Sequence, residues 1–310
     1  MSGIHHHGHD HGDERSRLTS RAAMASISVA LFLVGLKIWA SWDTGSVAML
    51  GSLADTALDL IASLVTLFGV RVAAMPADDD HRFGHGKAEA LAALFQVVLI
   101  SFSAFGIAWR AIQRFGAGAE TQALELGVGV SIVAMIVTVA LLAYQRHVIR
   151  RTNSVAIQTD HVHYQSDLLL NLSVIAALVM DQMFGLRFVD PLFGLLIAAW
   201  LLYGALRGAS HAVDQLMDRE WDEDKRERFL DMVKAHPEMQ GLHELKTRTS
   251  GGVDFAQFHI WLDPKMSVME AHRVMEEIEA TIAAEFPGTH VLIHPDPAGL
   301  AEPGQDLTPE

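Results

Sequence analysis

The chain has 310 residues, half of them hydrophobic and 19% charged, a balance that argues against a disordered or fibrous protein. Most of the apolar material lies before about residue 210 in runs too long for soluble core helices, which argues against a soluble single-domain enzyme. A net charge of −14 disfavours a nucleic-acid partner, which needs clustered lysine and arginine, and the absence of cysteine leaves only nitrogen and oxygen donors for any metal.

The first 14 residues form a polar leader with His5, His6, His7, His9 and His11. It reads as flexible, and either as a loose metal-binding tract or as a segment without a role. A membrane-spanning helix needs about 20 mainly apolar residues, and six runs come close: 22–42, 46–74, 88–112, 123–145, 156–181 and 189–207. The first contains Lys37, the second Asp55 and Asp59, and the fifth His163 and Asp167, all costly groups in hydrocarbon. The fourth has no charge between Leu126 and Tyr144. None reads as a cleaved signal peptide, because the first run follows a polar leader and precedes further spans.

Basic residues in the short connections set the expected orientation. Arg15, Arg17, Arg21, Arg71, Arg82, Lys87, Arg146, Arg150, Arg151, Arg207 and Arg219 fall on one side, against Arg110, Arg114 and Arg187 on the other. Both termini are therefore expected in the cytoplasm. Residues 211–310 hold 21 acidic against nine basic residues, so the tail is an acidic soluble unit.

Within that tail the pattern predicts a helix over 221–236, strands over 242–249 and 253–262, a second helix over 268–286 and a strand over 290–294. The order αββαβ suits a small open sheet with helices on one face. The expected organisation is a leader (1–14), a six-transmembrane-helix bundle (15–210), a cytoplasmic α+β domain (211–297) and a disordered end (298–310).

Two pairs of residues carry the chemistry. Asp55 and Asp59 are four apart in the second span, and His163 and Asp167 are four apart in the fifth, so each pair occupies one helix face about one turn apart. Adjacent carboxylates in hydrocarbon repel and are driven to protonate unless a cation lies between them. Three carboxylates and one imidazole make a four-ligand set that suits tetrahedral Zn²⁺ and also accepts other divalent ions of similar size. A lone intramembrane aspartate is often a helix–helix hydrogen bond or a partner for Lys37. Two such pairs together favour function.

The stretch from Ser52 to Asp59, the loop from Pro76 to Glu89 with its Asp78, His81 and His85, and the run His163-Tyr-Gln-Ser-Asp167 together resemble the cation diffusion facilitator family, in particular the bacterial YiiP-type zinc and iron exporters. The similarity extends over about residues 15–297. It implies a homodimeric, proton-coupled divalent-metal exporter of the inner membrane, with six spans and a ferredoxin-like cytoplasmic domain. It also implies an accessory metal site at Asp78, His81 and His85, and a binuclear site built from His243, His259, His272, His294 and Asp296 at the dimer interface. Because the second span carries two acids where many zinc-restricted relatives carry His and Asp, Fe²⁺, Cd²⁺, Co²⁺ and Mn²⁺ stand beside Zn²⁺ as substrates.

In the expected cycle the metal displaces protons from its ligands on one side and is competed off by protons on the other. Two readings compete with it. An intramembrane zinc hydrolase ordinarily shows H-E-x-x-H, which the sequence lacks. A membrane-anchored metal sensor would bind zinc and move none.

Overall fold

The computed structural model describes residues 7–44, 47–117, 125–184 and 188–299. They divide into two compact units, one from Ser16 to Val213 and one built mainly from the residues after Asp214.

The first unit is all helical. Six long helices follow in order: α1 (His7–Thr44), α2 (Val47–Ala73), α3 (Ala88–Ala117), α4 (Glu125–Thr152), α5 (Val155–Phe184) and α6 (Val189–Leu216). The described part of each of the six runs falls on one of these helices, apart from Ala74 just beyond the end of α2. The leader, expected to be flexible, is helical from His7 onward, since a nucleated helix adds each further residue at little cost. Among the described residues, five helices contain stretches long and apolar enough to cross a membrane: 14–40, 56–73, 88–113, 132–152 and 191–216. The fifth helix does not qualify among the described residues, although its half from Asp167 to Phe184 is largely apolar in sequence.

Sequence sets the break between α4 and α5. Asn153 adopts a left-handed conformation (φ 47°), tolerated by its short polar side chain, and its N–H returns to the Ile149 carbonyl at 2.9 Å. Ser154 then caps α5, its hydroxyl oxygen accepting from the Ile157 amide at 3.2 Å.

Small residues let the helices approach. Ala22, Ala23, Val70, Val148, Ala156 and Ile157 join α1, α2, α4 and α5 in one buried cluster, and Ile100 and Ala104 of α3 meet Ile197, Leu201 and Ala205 of α6 in another. At Gly69 a Cβ would stand 2.3 Å from the Ala92 Cβ, so α2 and α3 can lie this close only with glycine there. Phe68, Phe102, Phe105, Trp39 and Leu206 project outward and are exposed, as apolar side chains facing lipid would be.

The interior is partly polar. Asp160 of α5 is fully buried, and its carboxylate accepts from Ser26 Oγ of α1 (2.7 Å), Gln145 Nε2 of α4 (2.8 Å) and Gln96 Nε2 of α3 (3.0 Å). A buried ionisable group needs such partners, since leaving it bare costs several kcal/mol, order of magnitude.

The second unit contains α7 (Glu223–Lys234), β1 (Gly241–Ser250), β2 (Val253–Leu262), α8 (Val268–Glu285) and β3 (His290–Pro297). The sheet order is β1-β2-β3, with β1 antiparallel and β3 parallel to β2. The last strand runs three residues beyond the expected His294 and includes Pro295 and Pro297, which an edge strand tolerates. Alternate residues of β2, namely Ala256, Phe258, Ile260 and Leu262, pack with Ile293 against Phe229 and Val233 of α7 and Val274, Ile278 and Ile282 of α8. Both helices thus cover one face. Gln257, His259 and Trp261 of β2 belong to the other.

Candidate metal centres

In the helical unit, α2 and α5 pack side by side and bring Asp59 to His163. The His163 Nε2 atom lies 2.9 Å from Asp59 Oδ1, and both side chains are largely buried. Asp167 follows His163 by one turn, and one ligand atom from each of Asp59, His163 and Asp167 lies within 4.8 Å of the others. Asp55 stands one turn before Asp59 on α2, but its side chain is outside the described residues. The arrangement offers two carboxylates and one imidazole to a cation. The carboxylates supply charge, and the nitrogen favours borderline ions of the Zn²⁺ type over hard ions such as Mg²⁺ or Ca²⁺.

The second cluster sits in the connection between α2 and α3. The Asp78 Oδ1 atom accepts from the amides of Asp80 (3.1 Å) and His81 (2.6 Å), folding the loop onto its own carboxylate. Gly84, at φ 79°, turns the chain so that His85 Nε2 comes to 3.2 Å from Asp78 Oδ2 while His81 Nδ1 is 3.2 Å from Asp78 Oδ1. The imidazoles of His81 and His85 are 4.5 Å apart. The His81 amide, more than the two imidazoles, holds the Asp78 carboxyl below the usual carboxylate range. Among the described residues, the buried Nδ1 of His85 has no hydrogen-bond partner. A preformed carboxylate with two converging imidazoles can accept a divalent ion.

The third cluster lies on the helix-free face of the sheet. Strand register places His243, His259 and His294 side by side across β1, β2 and β3. A bulge between His243 and Lys246, with Glu244 left-handed at φ 50°, makes this possible. In the register of Lys246 opposite Gln257, Glu244 would face His259; the extra residue brings His243 there instead. Asp296 reaches all three imidazoles: its Oδ2 lies 2.8 Å from His259 Nδ1 and 3.2 Å from His243 Nε2, and its Oδ1 lies 3.3 Å from His294 Nε2. Burial works to raise the Asp296 carboxyl, but the His259 hydrogen bond and the three imidazoles outweigh it and hold it below the carboxylate range. The buried His243 Nδ1 has no partner among the described residues, and Trp261 stacks on the ring at 4.6 Å.

His259, His243 and Asp296 form the compact group, with His294 at its exposed margin. His272 does not join it. It lies on α8, on the opposite layer of the unit, exposed and 3.5 Å from Glu276. The sheet and its packed helix, about 10 Å apart, separate the two within one chain. The buried hydrogen-bonded carboxylate of Asp160 was not among the expected site residues. Its signal was legible: an acid inside an apolar run, accompanied by glutamines at 96 and 145 within two others.

Comparison with known proteins bears on the whole chain. The family pattern described as the cation efflux transmembrane domain matches residues 23–217, and that described as the cation efflux protein, cytoplasmic domain, matches residues 221–298. The cation-efflux pump FieF of Cronobacter sakazakii is 41% identical over 292 residues, covering 94% of this chain and 96% of the relative. Those of Yersinia pestis and Yersinia pseudotuberculosis are each 42% identical over 285 residues, covering 92% of this chain and 95% of the relative. Similarity of this extent, running through both units and all three clusters, makes the chain a member of the cation diffusion facilitator family, the cation-efflux transporters of the membrane rather than a class of enzymes.

Proposed function

We propose that the protein is a proton-coupled antiporter that exports divalent cations, chiefly Zn²⁺, by alternating access as a homodimer in the inner membrane. The transport domain is residues 15–210, with α5 as the sixth crossing and both termini cytoplasmic. Residues 211–297 form a ferredoxin-like regulatory and dimerisation domain, flanked by the leader (1–14) and the end segment (298–310). The transported ion binds Asp55, Asp59, His163 and Asp167. Asp78, His81 and His85 hold an accessory ion, and His243, His259, His294 and Asp296, with His272 contributed across the dimer, hold regulatory ions. Export is supported by the name that the relatives carry, cation-efflux pump.

The observation that carries the reading is the 2.9 Å approach of His163 and Asp59 from two different helices, with Asp167 beside them. Carboxylates and an imidazole converging inside an apolar bundle cost stability unless something cationic occupies them. Protons and metal compete for the same lone pairs, because a ligand must be deprotonated to bind. That competition is the coupling. Metal arriving from the neutral cytoplasm displaces protons, and protons on the far side displace metal once the helices have rocked.

The test is flux in proteoliposomes, metal by metal, for the parent chain and Asp59→Ala, with internal pH recorded. Zn²⁺ uptake should move protons the opposite way, quicken when the side of release is acidified, and fall by at least about 100-fold in the variant, since a lost ligand to the ion outweighs the 10- to 100-fold cost of losing an outer partner. Metal flux indifferent to a pH gradient would refute proton exchange. Zinc binding without flux would identify a sensor, and faster Fe²⁺, Cd²⁺, Co²⁺ or Mn²⁺ movement would replace zinc as the main substrate.

A further inference from the structure

The centre of the helical unit holds a polar network that the transport reading does not use. Asp160, Ser26, Gln96, Gln145, Thr66, Ser63 and Tyr164 are all at most 1% exposed. They come from five helices, and their hydrogen bonds join those helices at one point. The Gln96 amide nitrogen donates both to Asp160 Oδ1 of α5 (3.0 Å) and to Thr66 Oγ1 of α2 (2.5 Å). Asp160 Oδ2 accepts from Ser26 Oγ of α1 and Gln145 Nε2 of α4. A second tie between α2 and α5 runs from Ser63 Oγ to the Tyr164 hydroxyl at 2.9 Å, and that hydroxyl donates to the Ser26 carbonyl at 3.1 Å.

Placement gives this network its meaning. The two helices it joins are those that carry the candidate cation ligands. Ser63 and Thr66 follow Asp59 on α2 by one and two turns, Asp160 precedes His163 by three residues, and Tyr164 is its neighbour. Residues three apart share a helix face, so Asp160 and His163 both point into the bundle. Apolar packing around α2 and α5 is non-directional and tolerates sliding and rotation. Hydrogen bonds are not: three donors aimed at one carboxylate fix both the depth and the rotation of α5, and the shared Gln96 amide fixes α2 to the same point. Metal sites require their ligands within about half an ångström of the productive geometry.

We propose that Asp160 is a positioning residue for the cation site: with Gln96 it locks α5 against α2 so that His163 and Asp167 meet Asp59. The proposal rests on the reading of Asp59, His163 and Asp167 as the transported ion's ligands. It assigns Asp160 no contact with the ion.

The test uses the full-length chain carrying His81→Ala and His259→Ala, so that neither the loop nor the tail cluster contributes to binding. Co²⁺ binding is followed by its visible absorption, which reports coordination geometry, and Zn²⁺ flux is measured on the same preparations. Asp160→Asn keeps the size of the side chain but turns a donor toward the Gln96 amide. It should weaken Co²⁺ binding and raise the flux KM by at least about tenfold, the range for outer partners of metal ligands, while the saturating rate holds within about twofold. Swapping the polarity in Gln96→Glu with Asp160→Asn lets the new amide donate to the new carboxylate while its oxygen still accepts from Ser26 and Gln145, and should restore binding. Should Asp160→Asn not fold, Ser26→Ala, which removes one donor only, should still raise KM, by a smaller factor. Unchanged binding in Asp160→Asn, or in Ser26→Ala where that variant decides, overturns the proposal, as does a double substitution that folds yet does not recover. Absence of Zn²⁺ flux from the chain without any substitution, which keeps the tail cluster, would overturn the transport reading and leave the positioning role to be judged by the binding data alone.

Discussion

Asp296 gathers three imidazoles around one carboxylate, and its local chemistry gives a direct test. Asp296→Asn preserves the shape but removes the charge, and zinc affinity of the tail should fall by at least about tenfold in equilibrium titrations. Because folding lowers the proton affinity of Asp296, its ionised form favours the folded tail. That contribution is complete above the unfolded carboxylate value of about 3.9 and is lost as pH falls through the lower folded value. Protection of the β2 and β3 amides of metal-free protein, corrected for the intrinsic exchange rate, should therefore fall below pH 4, and less steeply in Asp296→Asn. The candidate ligands were visible as residues, since aspartate and histidine inside apolar runs have few innocent uses. Their partners were not. Nothing in the order of residues says that Asp296 rather than His294 is the hub, or that Asp160 accepts from three separate helices.

Elements were legible where local signals agree. Ser267 and Glu270 form a reciprocal capping box: the Ser267 hydroxyl oxygen accepts from the Glu270 amide at 3.3 Å, and the Glu270 carboxylate accepts from the Ser267 amide at 2.7 Å. That is why α8 starts at Val268, where the pattern predicts it. Ser267→Ala should cost about 1 kcal/mol of tail stability, read in a urea titration, without altering zinc binding on the other face of the sheet. The β2 range of Val253–Leu262 was equally plain, from its alternation and from the glycines at 251 and 252, both with positive φ. By contrast, the bulge in β1 has no local signature. Glu244 is neither glycine nor asparagine, and only pairing with β2 makes the extra residue apparent. Nor does a hydropathy profile show which polar side chains of the fifth helix face inward: Asp160, His163 and Ser166 are buried by the neighbouring helices.

At the scale of the molecule, two units with different chemistry are joined in one chain, and the proposed function requires them to communicate. Metal bound by the tail should draw two tails together and bias the transport unit, because a ligand that binds one arrangement better shifts the population toward it. The absence of cysteine makes a single label straightforward: Met269→Cys places a spin label on the exposed side of α8. The label-to-label distance should shorten when zinc is added to the parent, and stay constant when His243→Ala and His259→Ala are combined with it. Equal distances in the parent with and without zinc would remove the regulatory role from the tail.

The sequence by itself determined the membrane character of the first two-thirds of the chain, the acidic αββαβ tail and the residue types able to bind a cation, because burial periodicity and the expense of charge in hydrocarbon are local properties. It also carried the family, through three motifs in order. The tertiary structure decided which of those residues meet. It joined Asp59 to His163 across two helices, gathered His243, His259 and Asp296 through one bulge and left His272 on the far layer. It also centred five helices on Asp160. Such convergence depends on helix rotation and strand register, which long-range packing fixes and no window of neighbouring residues encodes.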